Sequence, residues 1–434
     1  MSDSRSSFFR QSAWLAFGTV VGGVFMTAVH PVVFRMERSQ YEIFSAMLRA
    51  FLLLGIPSAG LMTSFAQQGA AALTPEARAR LATTTQRVLC GIVLLWLVLL
   101  FGTFLVRERI STQLRLGDGA VLWPTLGVGL MWLILPVMRG LLQGEQDFYT
   151  LGWVAILDGL LRICLILLTV LVLHLGAAAA LYAAFFAMVA STGVALWRTR
   201  GIWTARGSPV DWPEWLRRVL PFTLGAGAML LISNVDVLYF QSILTQELAD
   251  KFALGNGYIP AALIGFALVQ FTVPLAMVMF PKIARSAAGG GASDALTLAL
   301  VGTLVLGALA AGFVTLFPTF PLRIVFFNKP DAIAAAPVVP GYAWAMVAYS
   351  LANVLVSNLL ARGRFLVVPW ALLVAGAYLV NLYLLRNLLP TLPPVDAYHR
   401  VTHLLCGYSL VLLAGAALMT WNPFASRGSS ATEH

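Results

Sequence analysis

The chain has 434 residues, 59% of them hydrophobic and only 11% charged, with a mean hydropathy of +0.85. A water-soluble domain carries about a quarter charged residues, so the composition excludes a soluble enzyme or binding module and predicts an all-α polytopic membrane protein. Lys and Arg outnumber Asp and Glu by 28 to 18; those charges sit in short links between apolar runs, so they are read as setting topology and meeting anionic lipid, with no role in nucleic-acid binding.

A helix that crosses a bilayer needs about 20 mostly apolar residues. Runs of that length number about twelve, near 11–34, 42–65, 88–106, 120–141, 150–173, 177–197, 219–243, 257–281, 296–320, 337–360, 366–388 and 401–421. The opening MSDSRSSFFR has no small-residue cleavage pattern after it and reads as the cytoplasmic start of an uncleaved first span. With that start inside, the cytoplasmic links hold more Lys and Arg than the outer ones, and both termini lie in the cytoplasm of a cytoplasmic (inner) membrane. The longest such link, Arg198 to Arg218, divides the chain into a first six-helix half (1–205), a second (206–421) and a short polar tail (422–434). An even number of spans per half gives both halves one orientation, so a repeat would be parallel.

No G-x-x-x-x-G-K-[ST] loop occurs, which argues against ATP hydrolysis, and nothing resembles a catalytic triad or a metal-ligand cluster. The chain is therefore expected to be no enzyme and to carry no cofactor. Cys90, Cys164 and Cys406 fall inside apolar runs and are expected to pack as small residues.

Charged side chains inside spans are the candidates for function, because a charge in hydrocarbon is costly. Asp236 lies about 22 Å along the seventh span from its cytoplasmic end. It fits a cation or proton site, or equally a buried carboxylate neutralised by an arginine or by hydrogen bonds of the kind Asn234 offers. Arg49 lies about 12 Å into the second span, where its guanidinium suits bidentate capture of phosphate; snorkelling, or pairing with Glu42 or Asp236, are the alternatives. His30, beside Pro31 in the first span, is a substrate contact or a hydrogen-bonded packing residue. Asp158 and Arg162 stand four apart on one face of the fifth span, as a coupling pair or an internal pair that cancels its own charge. Arg139 is expected at headgroup level. Asn353, Asn358 and Asn381 fit interhelical hydrogen bonds.

Three local pieces carry a resemblance. Gly140-Leu141-Leu142-Gln143-Gly144 before the fifth span resembles a G-x-L-Q-G element, Asn234-Val235-Asp236 resembles an N-x-D element, and Phe280-Pro281-Lys282-Ile283-Ala284-Arg285 resembles an F-P-x-[IL]-[AS]-R element closing the eighth span. With twelve spans in two halves, the chain is similar to the multidrug/oligosaccharidyl-lipid/polysaccharide (MOP) exporter superfamily, in its polysaccharide-transporter branch. The resemblance implies two bundles around a central cavity lined by the first, second, seventh and eighth spans. Arg49, Asp236, Asn234 and His30 would bind substrate there.

It further implies a flippase that moves a polyprenyl-diphosphate-linked oligosaccharide from the cytoplasmic to the outer leaflet by alternating access. Such a flippase would work with membrane lipids and with glycan polymerases and glycosyltransferases, and would draw on a sodium or proton gradient or the membrane potential. The alternatives are a cation-coupled multidrug antiporter of the same fold, or a lipid II flippase; the latter branch concentrates arginines in its cavity, where this chain places only Arg49. A major-facilitator symporter would show G-x-x-x-D-[RK] after the second span, and that link here is SFAQQGAAALTPEARAR. A membrane scaffold would need no buried charges.

Overall fold

The computed structural model describes residues 2–33, 35–37, 40, 43–44, 47, 52–113, 119–205, 210–243, 258–288, 294–325 and 333–421. With no water in a bilayer core to satisfy backbone groups, the chain has to satisfy them within each segment. Among the described residues it forms thirteen α-helices and no strand. They are α1 (Ser2–Val33), α2 (Leu52–Ala71), α3 (Pro75–Gln113), α4 (Leu122–Gly144), α5 (Phe148–Ile166), α6 (Ala177–Trp203), α7 (Trp212–Ile243), α8 (Tyr258–Ala288), α9 (Ala295–Leu316), the short α10 (Thr319–Val325), α11 (Val339–Ala361), α12 (Val367–Leu385) and α13 (Pro394–Trp421). Eleven of these are long and apolar enough to cross a membrane, α2 and α10 being the others, so this is a multi-pass membrane protein.

Most helices outrun the apolar runs that announced them. The third is the extreme case: α3 has 39 residues and a break from helical geometry at Val106 (φ −112°, ψ 15°). Arg78, Arg80 and Arg87, expected in a link, lie on its first turns. Its middle carries exposed Leu94, Val98, Phe101 and Leu105, the surface a lipid-facing helix presents. Proline does not stop helices here: α7 runs through Pro221, and α8 through Pro274 and Pro281 to Ala288, seven residues past the expected end of its span at 281. α5 continues as a π-helix over Leu167–Val172. Cys90 and Cys164 are exposed on helix surfaces, contrary to the expected packing role.

The chain forms two compact units, Met1–Thr223 and Leu224–His434, with the boundary inside α7. In the first, α1 packs on α5, α2 on α4, and α4 and α5 both on α6, while α3 touches α4 and α6. In the second, α8 packs on α9 and α11, α9 on α11, and α11 and α12 both on α13. Counting spans within each unit, second meets fourth, third meets fourth, fourth meets sixth and fifth meets sixth in both.

Helices gain little from apolar burial when the solvent is itself apolar, so close backbone approach between small residues matters more. At Gly18 an added Cβ would stand 2.7 Å from the carbonyl oxygen of Gly152, and at Gly159 it would stand 3.0 Å from the Cα of Gly22. The Gly140–Gly144 element serves α2 in the same way: at Gly144 a Cβ would meet Ala66 O and Gly69 Cα, both at 2.9 Å. Hydrogen bonds pin other crossings, from Ser58 Oγ to Trp132 O at 2.6 Å and from Thr272 Oγ1 to Ser350 Oγ at 3.1 Å. Gly159→Ala should therefore destabilise the purified protein by about 1–3 kcal/mol through overpacking, read as a lower melting temperature in detergent. Gly193→Ala, with nothing within 4 Å of the new methyl, should leave it unchanged or higher.

Candidate functional site

Among the described residues each unit buries one carboxylate, and the two are partnered differently. In the second unit Asp236, on α7, is 0% exposed. Its Oδ2 accepts hydrogen bonds from the hydroxyls of Tyr258 at 2.6 Å and Tyr342 at 3.0 Å. Tyr258 stands at the start of α8 and Tyr342 in the first turn of α11, so three helices meet at one carboxylate. The rings enclose it. Tyr258 and Tyr342 meet edge-on at 5.6 Å, Phe240 lies 4.4 Å from Tyr258, and Tyr398 of α13 lies 5.7 Å from Tyr258 and 5.5 Å from Phe240. Asp236 Oδ1 is buried and receives no side-chain hydrogen bond among the described residues.

The local helix explains this placement. Ser233 donates back to Leu230 O, and Asn234 Nδ2 donates to Leu230 O and to Ser233 Oγ. Asn234 is thus tied to its own helix and gives Asp236 nothing; tyrosines supply the donors that Asn234 was expected to offer. Tyr349 of α11 donates to Met229 O at 3.1 Å, fixing α7 against α11 two turns from the site.

In the first unit Asp158, on α5, is 2% exposed. Arg162 Nη2 donates to its Oδ1 at 2.9 Å, one helical turn away. Arg139 of α4 brings Nη2 to 3.5 Å of Oδ2, an ion pair without a hydrogen bond. Arg139, half-buried near the end of α4, therefore joins the Asp158–Arg162 pair through the contact of α4 with α5. The Nε atoms of Arg139 and Arg162 are both buried without an acceptor among the described residues. Arg162 is 8% exposed, and the Arg139 side chain retains 28%.

Of the remaining candidates, Arg49 and the side chain of His30 lie outside the described residues. Asn381 pairs with Tyr408 between α12 and α13, and Asn358 accepts from Arg362 on its own helix at 3.0 Å. No cluster of three His, Cys, Asp or Glu residues with metal-holding geometry occurs among the described residues.

Compared by sequence, the chain matches no protein-family model and none of the curated proteins. Compared by structure, it is similar over nearly its whole length to transporters. It superposes on a point mutant of the Vibrio cholerae MATE transporter VcmN with a TM-score of 0.74 at 14% identity, covering 97% of this chain and 98% of that one. A MOP-superfamily transporter from Pyrococcus furiosus, for which a reversed polarity of the binding pocket is described as suggesting a different function, gives a TM-score of 0.72 at 13% identity with 95% of each chain covered. The eukaryotic MATE transporter AtDTX14 gives 0.70 at 14% identity with 96% of each covered. The fold is that of a polytopic helical transporter. More particularly, it is the fold of the MATE transporters of the MOP superfamily.

Removing Asp158 leaves buried Arg162 without its partner and half-buried Arg139 beside it, whereas removing Arg139 leaves a matched pair. Asp158→Asn should thus destabilise by about 3–5 kcal/mol, and Arg139→Gln by clearly less, in thermal melts of the two purified variants.

Proposed function

We propose that this chain is a proton-coupled exporter of the cytoplasmic membrane, with both termini inside, and that Asp236 is the group whose protonation is tied to alternating access. The observation that carries this reading is the buried carboxylate with one oxygen held by two tyrosine hydroxyls and the other without a side-chain donor among the described residues. A titratable group inside a span marks a functional site by default, and the likeness to MATE transporters supports an exporter. A proton fits this site better than a metal ion. Each phenol has a single hydrogen, and both point at Oδ2, so among the carboxylate oxygens Oδ1 is the one without a tyrosine donor. A hard metal ion takes several oxygen ligands at once; a proton needs only one.

On this reading the cargo is an amphipathic organic molecule, of the type handled by the neighbour described as a multidrug resistance MATE family transporter of the MOP superfamily. A second reading, the lipid-linked oligosaccharide flippase, keeps one specific support, the surplus of arginine over carboxylate beside Asp158. Its other anchor, Arg49, lies outside the described residues.

The test is uptake in proteoliposomes with ethidium as probe under an imposed pH gradient. Wild type should concentrate the dye, and Asp236→Asn should lose at least about tenfold in rate, as expected when a proton-transfer group is removed. Tyr342→Phe, which keeps the ring and removes one donor, should lose less. Transport driven equally well by a sodium gradient at constant pH would refute proton coupling. A dye rate of zero in wild type, with lipid-linked glycan accumulating on the inner leaflet of cells lacking the gene, would select the flippase.

A further inference from the structure

The arginines of the first unit have a charge left over. Guanidinium stays protonated throughout the physiological range, so Arg139, Asp158 and Arg162 together carry one net positive charge. The geometry says which arginine is surplus. Arg162 holds Asp158 by a 2.9 Å hydrogen bond, which matches one charge with one. Arg139 approaches the other oxygen only to 3.5 Å, makes no hydrogen bond to it, and keeps its Nε without an acceptor among the described residues. Yet Arg139 is not sealed in, since 28% of its side chain remains exposed, against 10% for Arg162.

A second positive charge beside an already matched pair, with one side open, is met there by water or by an anion. The donor edge also sets the chemistry. The N–H groups of a guanidinium lie in one plane and match the oxygens of an oxyanion; the Nε of Arg139 is itself buried, so the oxyanion would have to reach it past the exposed end of the side chain. Arg162 behind it adds a second cation at the same carboxylate. We propose that Arg139, backed by Arg162 and oriented by Asp158, is a binding site for a phosphate-type oxyanion in the first unit. The site is separate from Asp236 and opposite to it in charge. Two sources offer that group: a phosphate or diphosphate on the transported molecule, or the headgroup of an anionic phospholipid. Only the first source rests on the exporter reading; the binding site itself does not.

Binding can be read without transport. Purified protein in uncharged detergent is titrated with inorganic pyrophosphate at constant ionic strength, with chloride as the control salt, and the melting temperature and heat of binding are recorded. Pyrophosphate should raise the melting temperature where chloride does not. Arg139→Gln should weaken binding by about tenfold or more, since a charge-assisted contact is lost. Arg139→Lys, which keeps the charge without the planar N–H groups, should fall between the two. Asp236→Asn should bind pyrophosphate as wild type does, so a failed exporter assay and a failed anion site are told apart.

The same titration in nanodiscs of phosphatidylcholine, with and without phosphatidylglycerol, identifies the source. Competition by phosphatidylglycerol assigns the site to a headgroup, and unchanged binding assigns it to cargo. The proposal is overturned if pyrophosphate gives no shift beyond that of chloride, or if Arg139→Gln binds it as well as wild type.

Discussion

A charge taken out of water must be met by something, and in hydrocarbon that something has to be another part of the chain. This requirement selects which helices come together and where. In the second unit the start of α8 and the first turn of α11 each deliver a tyrosine hydroxyl to Asp236, so the carboxylate is a point through which three helices are joined. In the first unit α4 and α5 meet over Asp158 with two guanidiniums. The apolar surface of these helices is interchangeable against lipid; the polar contacts are not. Interhelical hydrogen bonds in membranes average only about 0.6 kcal/mol each, so their weight lies in choosing one arrangement more than in holding it.

Two units with one pairing pattern thus differ in how each meets its buried carboxylate. One encloses a carboxylate among aromatic rings and hydroxyls, an environment that accommodates a proton. The other surrounds a carboxylate with more positive charge than it can match, an environment that accommodates an anion. A transport cycle built on both would bind cargo and coupling ion at chemically opposite places.

Much of the architecture could be read from the chain itself. Apolar runs located every crossing helix to within a few turns, because span length follows from bilayer thickness. The ends were harder. Apolarity marks the part of a helix suited to hydrocarbon, whereas helices such as α3 and α8 continue beyond it through residues like Arg78 and Lys282 that a hydropathy window rejects. The site was legible only by half. Asp236 and Asp158 stood out as carboxylates among apolar residues, but Tyr258 and Tyr342 did not, since a tyrosine within an apolar run is ordinary and its hydroxyl is aimed by the pairing of α7, α8 and α11. Arg139 was visible but its pairing with Asp158 was not, for the same reason: sequence gives height along a helix, not the neighbour it faces. The Gly140–Gly144 element shows the reverse case, a motif noticed for its resemblance and explained by its contact with α2.

The tyrosine pair on Asp236 also gives the site an intrinsic chromophore. A phenol that donates to a carboxylate absorbs at a slightly different ultraviolet wavelength, and shows a different C–O stretch in the infrared, from one whose acceptor has been neutralised. Whatever occupies Oδ1 changes the acceptor strength of Oδ2 and is thereby written into the spectra of Tyr258 and Tyr342. Each turnover of the site would register optically from within the protein, with no added label.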